Sequence, residues 1–303
     1  MSEREPRMSV VIPAVRGGTL LADCLRALEP QAEALELEIL VVSRLPTGEA
    51  EAIAGRVART RTILAEGLTI PQMRAKGIEA AGAPVVAVLG EHVRPGPDWA
   101  GAMLRGHAAS PGGAAVGGSI AGPERAGAAG LAAFLAEYSE HMAPMPAGLV
   151  SSLPGVNISY KRSAIEACGE HLSAGAWETF LHEALAREGF DFRCEAGAEV
   201  AVTRTYGFPC FTAEKFRIAR SYAGMRASRT GPAGRIRGAA ATVILPELLV
   251  LRIARRVVGR SGVRGTMALL RSLPFLLVYV AAWTLGELAG YLLGEGSSTA
   301  RVT

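Results

Sequence analysis

Three largely apolar runs constrain this chain more than any other feature: SVVIPA just after Met8, LEILVV at 37–42 and PVVAVLG at 84–90. A strand with one wet face alternates in polarity with a period of two. These runs do not, so each predicts a strand covered on both faces. Helical spacing of apolar residues fills the intervals, at 20–28 after the Gly17-Gly18 turn and again at 70–81. The alternation predicts an α/β, Rossmann-like architecture: a mostly parallel sheet flanked by helices, with ligands at the carboxyl ends of its strands. The third run ends in Leu89-Gly90-Glu91-His92, which makes Glu91 and His92 the first candidates for chemistry.

Further along, the Gly- and Ala-rich stretch 108–133 predicts a loop followed by a helix of small residues. GVNISYKRSAIEACG predicts a short strand and the start of a helix. WETFLHEALAREGF predicts an amphipathic helix that stops at Gly189, and FRCEAGAEVAVTRTY one or two strands. The expected division is a globular domain over 1–229 and a C-terminal membrane-associated helical region over 230–303.

Two features of the C-terminal region support that division. Segment 239–258, AAATVILPELLVLRIARRVV, is apolar but broken by Pro246 and by arginines, a pattern that suits an interfacial or re-entrant helix. Segment 272–293, SLPFLLVYVAAWTLGELAGYLL, is long enough to cross a bilayer and carries one acid, Glu287; a hairpin buried under the globular domain is the competing reading. Arginines recur over 217–271 against a single acid, Glu247. Basic residues interleaved with leucine and valine beside a long apolar run fit an anionic lipid surface better than nucleic acid, and they place the start of the span on the cytoplasmic side.

With 303 residues, half of them hydrophobic, core formation is not limiting. Cys24, Cys168, Cys194 and Cys210 show no CxxC spacing, so neither a zinc site nor a disulfide framework is indicated and a reducing compartment is expected. The N-terminus MSEREPRMSVVIP lacks the pattern of a cleaved signal. The expected location is therefore the cell membrane, with the globular domain on the cytoplasmic side.

Four segments in order resemble the family 2 glycosyltransferases of GT-A fold, in particular bacterial membrane-associated members: SVVIPAVRGGTLLADCLRAL, IPQMRAKGIEAAGAPVVAVLGEHVRPGPDWAGAML, GVNISYKRSAIEACG and WETFLHEALAREGF. The match covers roughly the first two hundred residues, and WTLGELAGYLLG is similar to the tails of some membrane-associated members. The resemblance implies transfer of a sugar from a nucleotide-diphosphate sugar to a lipid-linked or membrane-proximal acceptor, with inversion. Departures from the pattern are Ala14-Val15-Arg16 after Pro13, Ser43-Arg44 in place of an acidic pair, and Gly90-Glu91-His92 in place of the acidic metal motif. They motivate the alternative of a catalytically degenerate membrane scaffold.

Under this resemblance Pro13, Ala14 and Gly90 border the donor, and Glu91 with His92 would ligate a divalent cation. An imidazole nitrogen beside a carboxylate favours Mn²⁺ over Mg²⁺. Arg74 is positioned to reach phosphate. Glu178 is the candidate base: at a helix start beside Trp177 it is either raised in pKa by the indole or simply complements the helix dipole. His182, one turn later, would orient Glu178 or line the acceptor pocket. Asn157 and Lys161 are candidate donor contacts, and Arg217 and Arg220 candidate ligands for pyrophosphate or lipid phosphate, with a membrane-surface role as the alternative.

Overall fold

The computed structural model describes residues 5–46, 48–123, 126–168 and 175–302. The chain forms two compact units, Met1–Ala121 with Ala143–Arg204, and Gly122–Met142 with Thr205–Thr303.

The first unit is built on an eight-stranded sheet ordered β3-β2-β1-β4-β9-β6-β10-β8. Its strands are β1 (Met8–Ala14), β2 (Glu38–Ser43), β3 (Thr60–Leu64), β4 (Val85–Leu89), β6 (Gly113–Gly117), β8 (Gly148–Val150), β9 (Asn157–Lys161) and β10 (Asp191–Cys194). A smaller sheet joins β5 (Val93–Pro95), β11 (Val200–Val202) and β7 (Ile120–Ala121) in the order β5-β11-β7. Every residue of β1 is buried, and β1 pairs in parallel with both β2 and β4, as an unalternating apolar run requires. In the larger sheet only β8 and β9 run against the common direction. The sheet is therefore mostly parallel and flanked by helices, as expected.

The helices of this unit are α1 (Gly18–Ala34), α2 (Glu49–Ala54), α3 (Ile70–Ala80), α4 (Trp99–Ala109), α6 (Arg162–Ala167) and α7 (Glu178–Arg187), with α5 (Ala128–Tyr138) lying in the second unit. Helix α3 starts in a capping box: the Thr69 hydroxyl accepts from the Gln72 backbone at 3.4 Å, and the Gln72 side chain accepts from the Thr69 backbone at 2.9 Å. It then packs hard on the sheet. A Cβ on Gly77 would sit 2.3 Å from a methyl of Val11 and 2.9 Å from one of Val42, so only glycine allows that approach.

The stretch 108–133 departs from its expectation of loop plus helix. A helix is present, but so is β6, an interior strand between β9 and β10. Its glycines are spacing devices: a Cβ on Gly117 would lie 2.8 Å from the Asn157 carbonyl oxygen, and one on Gly118, the next residue, 1.9 Å from that of Ala198. Strand propensity reads glycine as a breaker, and here backbone crowding outweighs propensity.

The second unit is helical: α5, α8 (Phe208–Ser228), α9 (Pro232–Ala241) and α10 (Leu245–Leu293). The two apolar segments expected as separate pieces are separate helices: the first starts at the end of α9, and α10 breaks between the two at Gly262, whose φ of 54° leaves the helical region. Glycines also set its packing on α8, since a Cβ on Gly286 would lie 2.3 Å from the Phe216 carbonyl oxygen and one on Gly290 2.6 Å from that of Arg220. Phe208, Phe211, Phe275 and Tyr279 form a ring cluster between the two helices at centroid spacings of 4.7–5.6 Å. Lys215, almost fully buried, pairs with Glu137 of α5 and stands over the Phe211 and Trp283 rings. Helix α10 is long and apolar enough to cross a membrane. The part beyond Gly262 alone spans roughly 45 Å at 1.5 Å per residue, and Leu251, Val263, Leu277, Leu285 and Leu293 leave half or more of their surface exposed.

Candidate functional site

The carboxyl ends of β1, β2 and β4 lie side by side because Ala14 pairs with Ser43 and Val11 with Val88. Past these ends the chain turns sharply, and Glu91 organises the turns. Its Oε1 accepts from the backbone N–H groups of Val15 (2.9 Å) and Arg16 (2.8 Å), and its Oε2 from Gly17 (3.0 Å). Three successive backbone donors make an anion nest, and the Glu91 carboxylate fills it. Burial raises the Glu91 pKa, while the three N–H groups and the charge of Arg204 oppose the rise.

His92 follows. Its carbonyl accepts from both the backbone N–H and the hydroxyl of Thr203, each at 3.0 Å, which places Arg204 beside it. Burial, then the charges of Arg204, Arg74 and Arg16, bring the His92 pKa down to about 3, so the imidazole is neutral at pH 7. Arg44 follows β2: its backbone N–H donates to the Ala14 carbonyl at 3.2 Å, its guanidinium Nη1 donates to the Leu68 carbonyl at 3.3 Å, and burial lowers its pKa while the Glu91 charge opposes that fall. Pro13, Ala14 and Gly90 are the backbone floor of the same place, with the Gly90 N–H bonded to the Val156 carbonyl at 3.0 Å.

A second group lies on the α3 side of the sheet. Arg74 of α3 is ion-paired with Glu178, the first residue of α7, and its guanidinium carbon is 5.9 Å from the Trp177 ring centroid. The pair borders a small cleft of about 20 Å³ whose walls include Pro71, Val88, Gly155 and Tyr160. A Cβ on Gly155 would fall 2.1 Å from Glu178 Oε1, so any side chain there would push the Glu178 carboxylate aside. The Arg74 Nε is buried and has no hydrogen-bond partner among the described residues, an orphan donor at the edge of the cleft. Tyr160 links this group to the core: its hydroxyl is 2.7 Å from His182 Nε2, and burial followed by the nearby Glu178 charge pushes its phenol up, keeping it protonated. His182 is buried between Tyr160 and Phe192, with ring centroids at 5.8 and 5.3 Å, and so acts on the cleft through Tyr160.

Four candidates belong to neither group. Asn157 is fully buried, and its amide is spent inside the protein: Oδ1 accepts from Trp99 Nε1 at 2.8 Å, and Nδ2 donates to the Ala198 carbonyl at 2.8 Å and the Ser119 carbonyl at 3.3 Å. Lys161 pairs with Val85, at the opposite end of β4 from Glu91, and its ammonium donates to the Ser110 and Pro111 carbonyls. The antiparallel course of β9 therefore carries Asn157 toward the site and Lys161 away from it. Arg217 and Arg220 belong to the second unit, where Arg220 Nε caps the long helix by donating to the Gly294 carbonyl at 3.0 Å.

Glu91 and His92 do not fit the role of metal ligands. Three of the carboxylate's lone-pair positions already accept N–H bonds, on a side chain 5% exposed. Among the described residues no group of three His, Cys, Asp or Glu side chains stands close enough to hold an ion.

Sequence reasoning missed Arg16, Arg44, Arg204 and Tyr160. Ser43-Arg44 and Val15-Arg16 were visible as departures from an acidic or polar pattern, but the gain of positive charge was the informative half of the change.

No protein-family model and no curated protein matches the chain. Among solved structures it is similar to the mannosyltransferase PcManGT from Pyrobaculum calidifontis, in complex with GDP-Man and Mn²⁺, at TM-score 0.55 and 14% identity, covering 94% of this chain and 87% of that one. A looser similarity, at TM-score 0.49 and 9% identity, covers 89% of this chain and 71% of residues 1–349 of S. aureus TarS. This chain has the mixed α/β glycosyltransferase fold of that mannosyltransferase, with a long apolar helix at its C-terminus.

Proposed function

We propose that the chain is a membrane-associated glycosyltransferase of the family 2, bacterial type, moving a hexosyl group from a nucleotide-diphosphate sugar to a lipid-linked or other membrane-proximal hydroxyl acceptor with inversion. The observation that carries this reading is the Arg74–Glu178 pair, seated on Trp177 at a cleft beside the carboxyl ends of the strands, on a glycosyltransferase fold.

In the reaction the acceptor oxygen forms a bond to the anomeric carbon as the bond from that carbon to the diphosphate oxygen breaks. The electron pair leaves with the nucleoside diphosphate, and the acceptor proton passes to the Glu178 carboxylate. Arg74 holds Glu178 oriented through a charge-assisted bond. Tyr160, fixed by His182, gives the cleft a rigid wall, and the arginines beside Glu91 supply positive charge where the leaving group develops its negative charge. Domain 1–229 carries the chemistry, and region 230–303 holds it to the cytoplasmic face of the cell membrane, through the exposed leucines of α10 and its arginines. The mannosyltransferase relative is in complex with Mn²⁺. A divalent cation in this chain would be held mainly by donor phosphates and water, since among the described residues no three His, Cys, Asp or Glu side chains gather to hold one.

The filled anion nest favours a second reading, a non-catalytic nucleotide-sugar binder or membrane scaffold. One experiment separates the two. The purified protein is incubated with a panel of radiolabelled nucleotide-diphosphate sugars and a total lipid extract, and label is followed into the organic phase. Transfer from one donor supports the transferase; donor binding without transfer to lipid or to any soluble acceptor supports the binder.

A further inference from the structure

The geometry points to a donor site in which Arg16, Arg44 and Arg204 take the charge-neutralising place of a metal ion, so that the diphosphate binds without a divalent cation. This rests on the donor-binding reading above and deepens it. The three arginines come from three separate segments, yet each is tied by backbone hydrogen bonds to the same strand ends. Arg16 N–H donates to Glu91, Arg44 N–H donates to the Ala14 carbonyl, and Thr203, the residue before Arg204, donates twice to the His92 carbonyl. That convergence is at the carboxyl ends of β1, β2 and β4, where open α/β sheets bind ligands.

Arg74 joins the three from α3, its Nε a buried donor with no hydrogen-bond partner among the described residues. The charges of Arg204, Arg74 and Arg16 act on His92, those of Arg44 and Arg204 act on Glu91, and Arg74 pairs with Glu178. His92 between them is neutral, so it adds neither charge nor an anion to the set. Glu91 has become part of the framework that positions Arg16, and the carboxylate that would otherwise ligate a cation is committed to three backbone donors. Guanidinium forks match phosphate oxygens in pairs and stay charged at any working pH. They can therefore hold a diphosphate and stabilise its departure as fixed positive charge.

The test is calorimetric titration of GDP, UDP and inorganic pyrophosphate into the full-length, detergent-purified protein, once in EDTA and once in Mn²⁺. The variants are Arg16→Ala/Arg44→Ala, at the more exposed positions, and Arg204→Lys, which keeps the buried charge; retention of fold is checked by circular dichroism. The expected result is a Kd in EDTA within about threefold of that in Mn²⁺, weakened at least tenfold in the double variant. Binding that requires Mn²⁺ overturns this inference and leaves the transferase reading standing. Metal-free binding that the arginine variants leave unchanged overturns the assignment to these side chains. If no probe binds in either buffer, the donor-binding reading itself fails and this inference falls with it.

Discussion

The guanidinium of Arg74 is ion-paired to the carboxylate of Glu178, 104 residues later in the chain, over the ring of Trp177. Both side chains are largely withdrawn from water, at 12% and 20% exposure. Loss of one partner strands the other's charge at the cleft. Arg74→Ala is expected to lower stability by about 1–3 kcal/mol and to cut kcat/KM at least tenfold, read from denaturant unfolding and steady-state transfer rates. Arg74→Lys keeps the charge but not the planar fork, and should recover stability more fully than activity.

Acid should weaken the first unit through its buried histidines. His107 is 6% exposed, its Nε2 is 2.9 Å from the Ser159 hydroxyl, and its buried Nδ1 has no partner among the described residues. Burial, then the charge of Lys161, takes its pKa down to about 4, and His92 falls to about 3. A histidine whose folded pKa lies below its unfolded value contributes stability that is fully present above the unfolded value near 6.5 and is lost as pH falls toward the folded one. The denaturation midpoint should therefore drop between pH 6.5 and 4, with His107 contributing at most about 3 kcal/mol. In His107→Gln that part of the acid slope should disappear; an unchanged slope would contradict the assignment.

Gly118→Ala should be among the most damaging single-methyl changes in the chain, because its Cβ would meet the backbone oxygen of Ala198 at 1.9 Å and no side chain can swing aside. A loss of about 2–4 kcal/mol is expected, as for overpacked interiors, measured as a fall in the unfolding midpoint. Gly112→Ala, six residues earlier with open space around it, serves as the control and should be near neutral.

The legible parts of this molecule were those whose signal is local. The runs at β1, β2 and β4 read as buried parallel strands because the apolar pattern is itself the consequence of two covered faces. Helix α7 read correctly from its 3.6-residue spacing, with Glu178 at its start. What failed to read is set by contacts between distant segments. Strand β6 looks like a loop until the carbonyls of Asn157 and Ala198 show why its neighbourhood must be glycine. Asn157 looks like a donor contact until Trp99, Ser119 and Ala198 arrive from three other segments to use up its amide. Glu91 was marked by its place at a strand end, but its partners at 15–17 come from the end of another strand, so its inward turn could not be seen in the triplet alone.

In the second unit, Gly286→Leu should separate α8 from α10, since even a Cβ there comes within 2.3 Å of the Phe216 carbonyl oxygen. The expected result is a variant that loses binding to anionic vesicles or becomes protease-sensitive within 205–303. A variant that keeps wild-type vesicle binding and protease resistance would show that this contact does not hold the helices together.

The most direct test of the central claim is the Glu178→Gln enzyme, assayed for both sugar transfer and donor binding. The carboxamide keeps the shape and one hydrogen bond to Arg74 but cannot take the acceptor proton. Turnover is expected to fall by about 10²–10⁴ while the donor Kd stays within about threefold. A Glu178→Gln enzyme that transfers sugar at the wild-type rate would contradict the assignment of Glu178 as base.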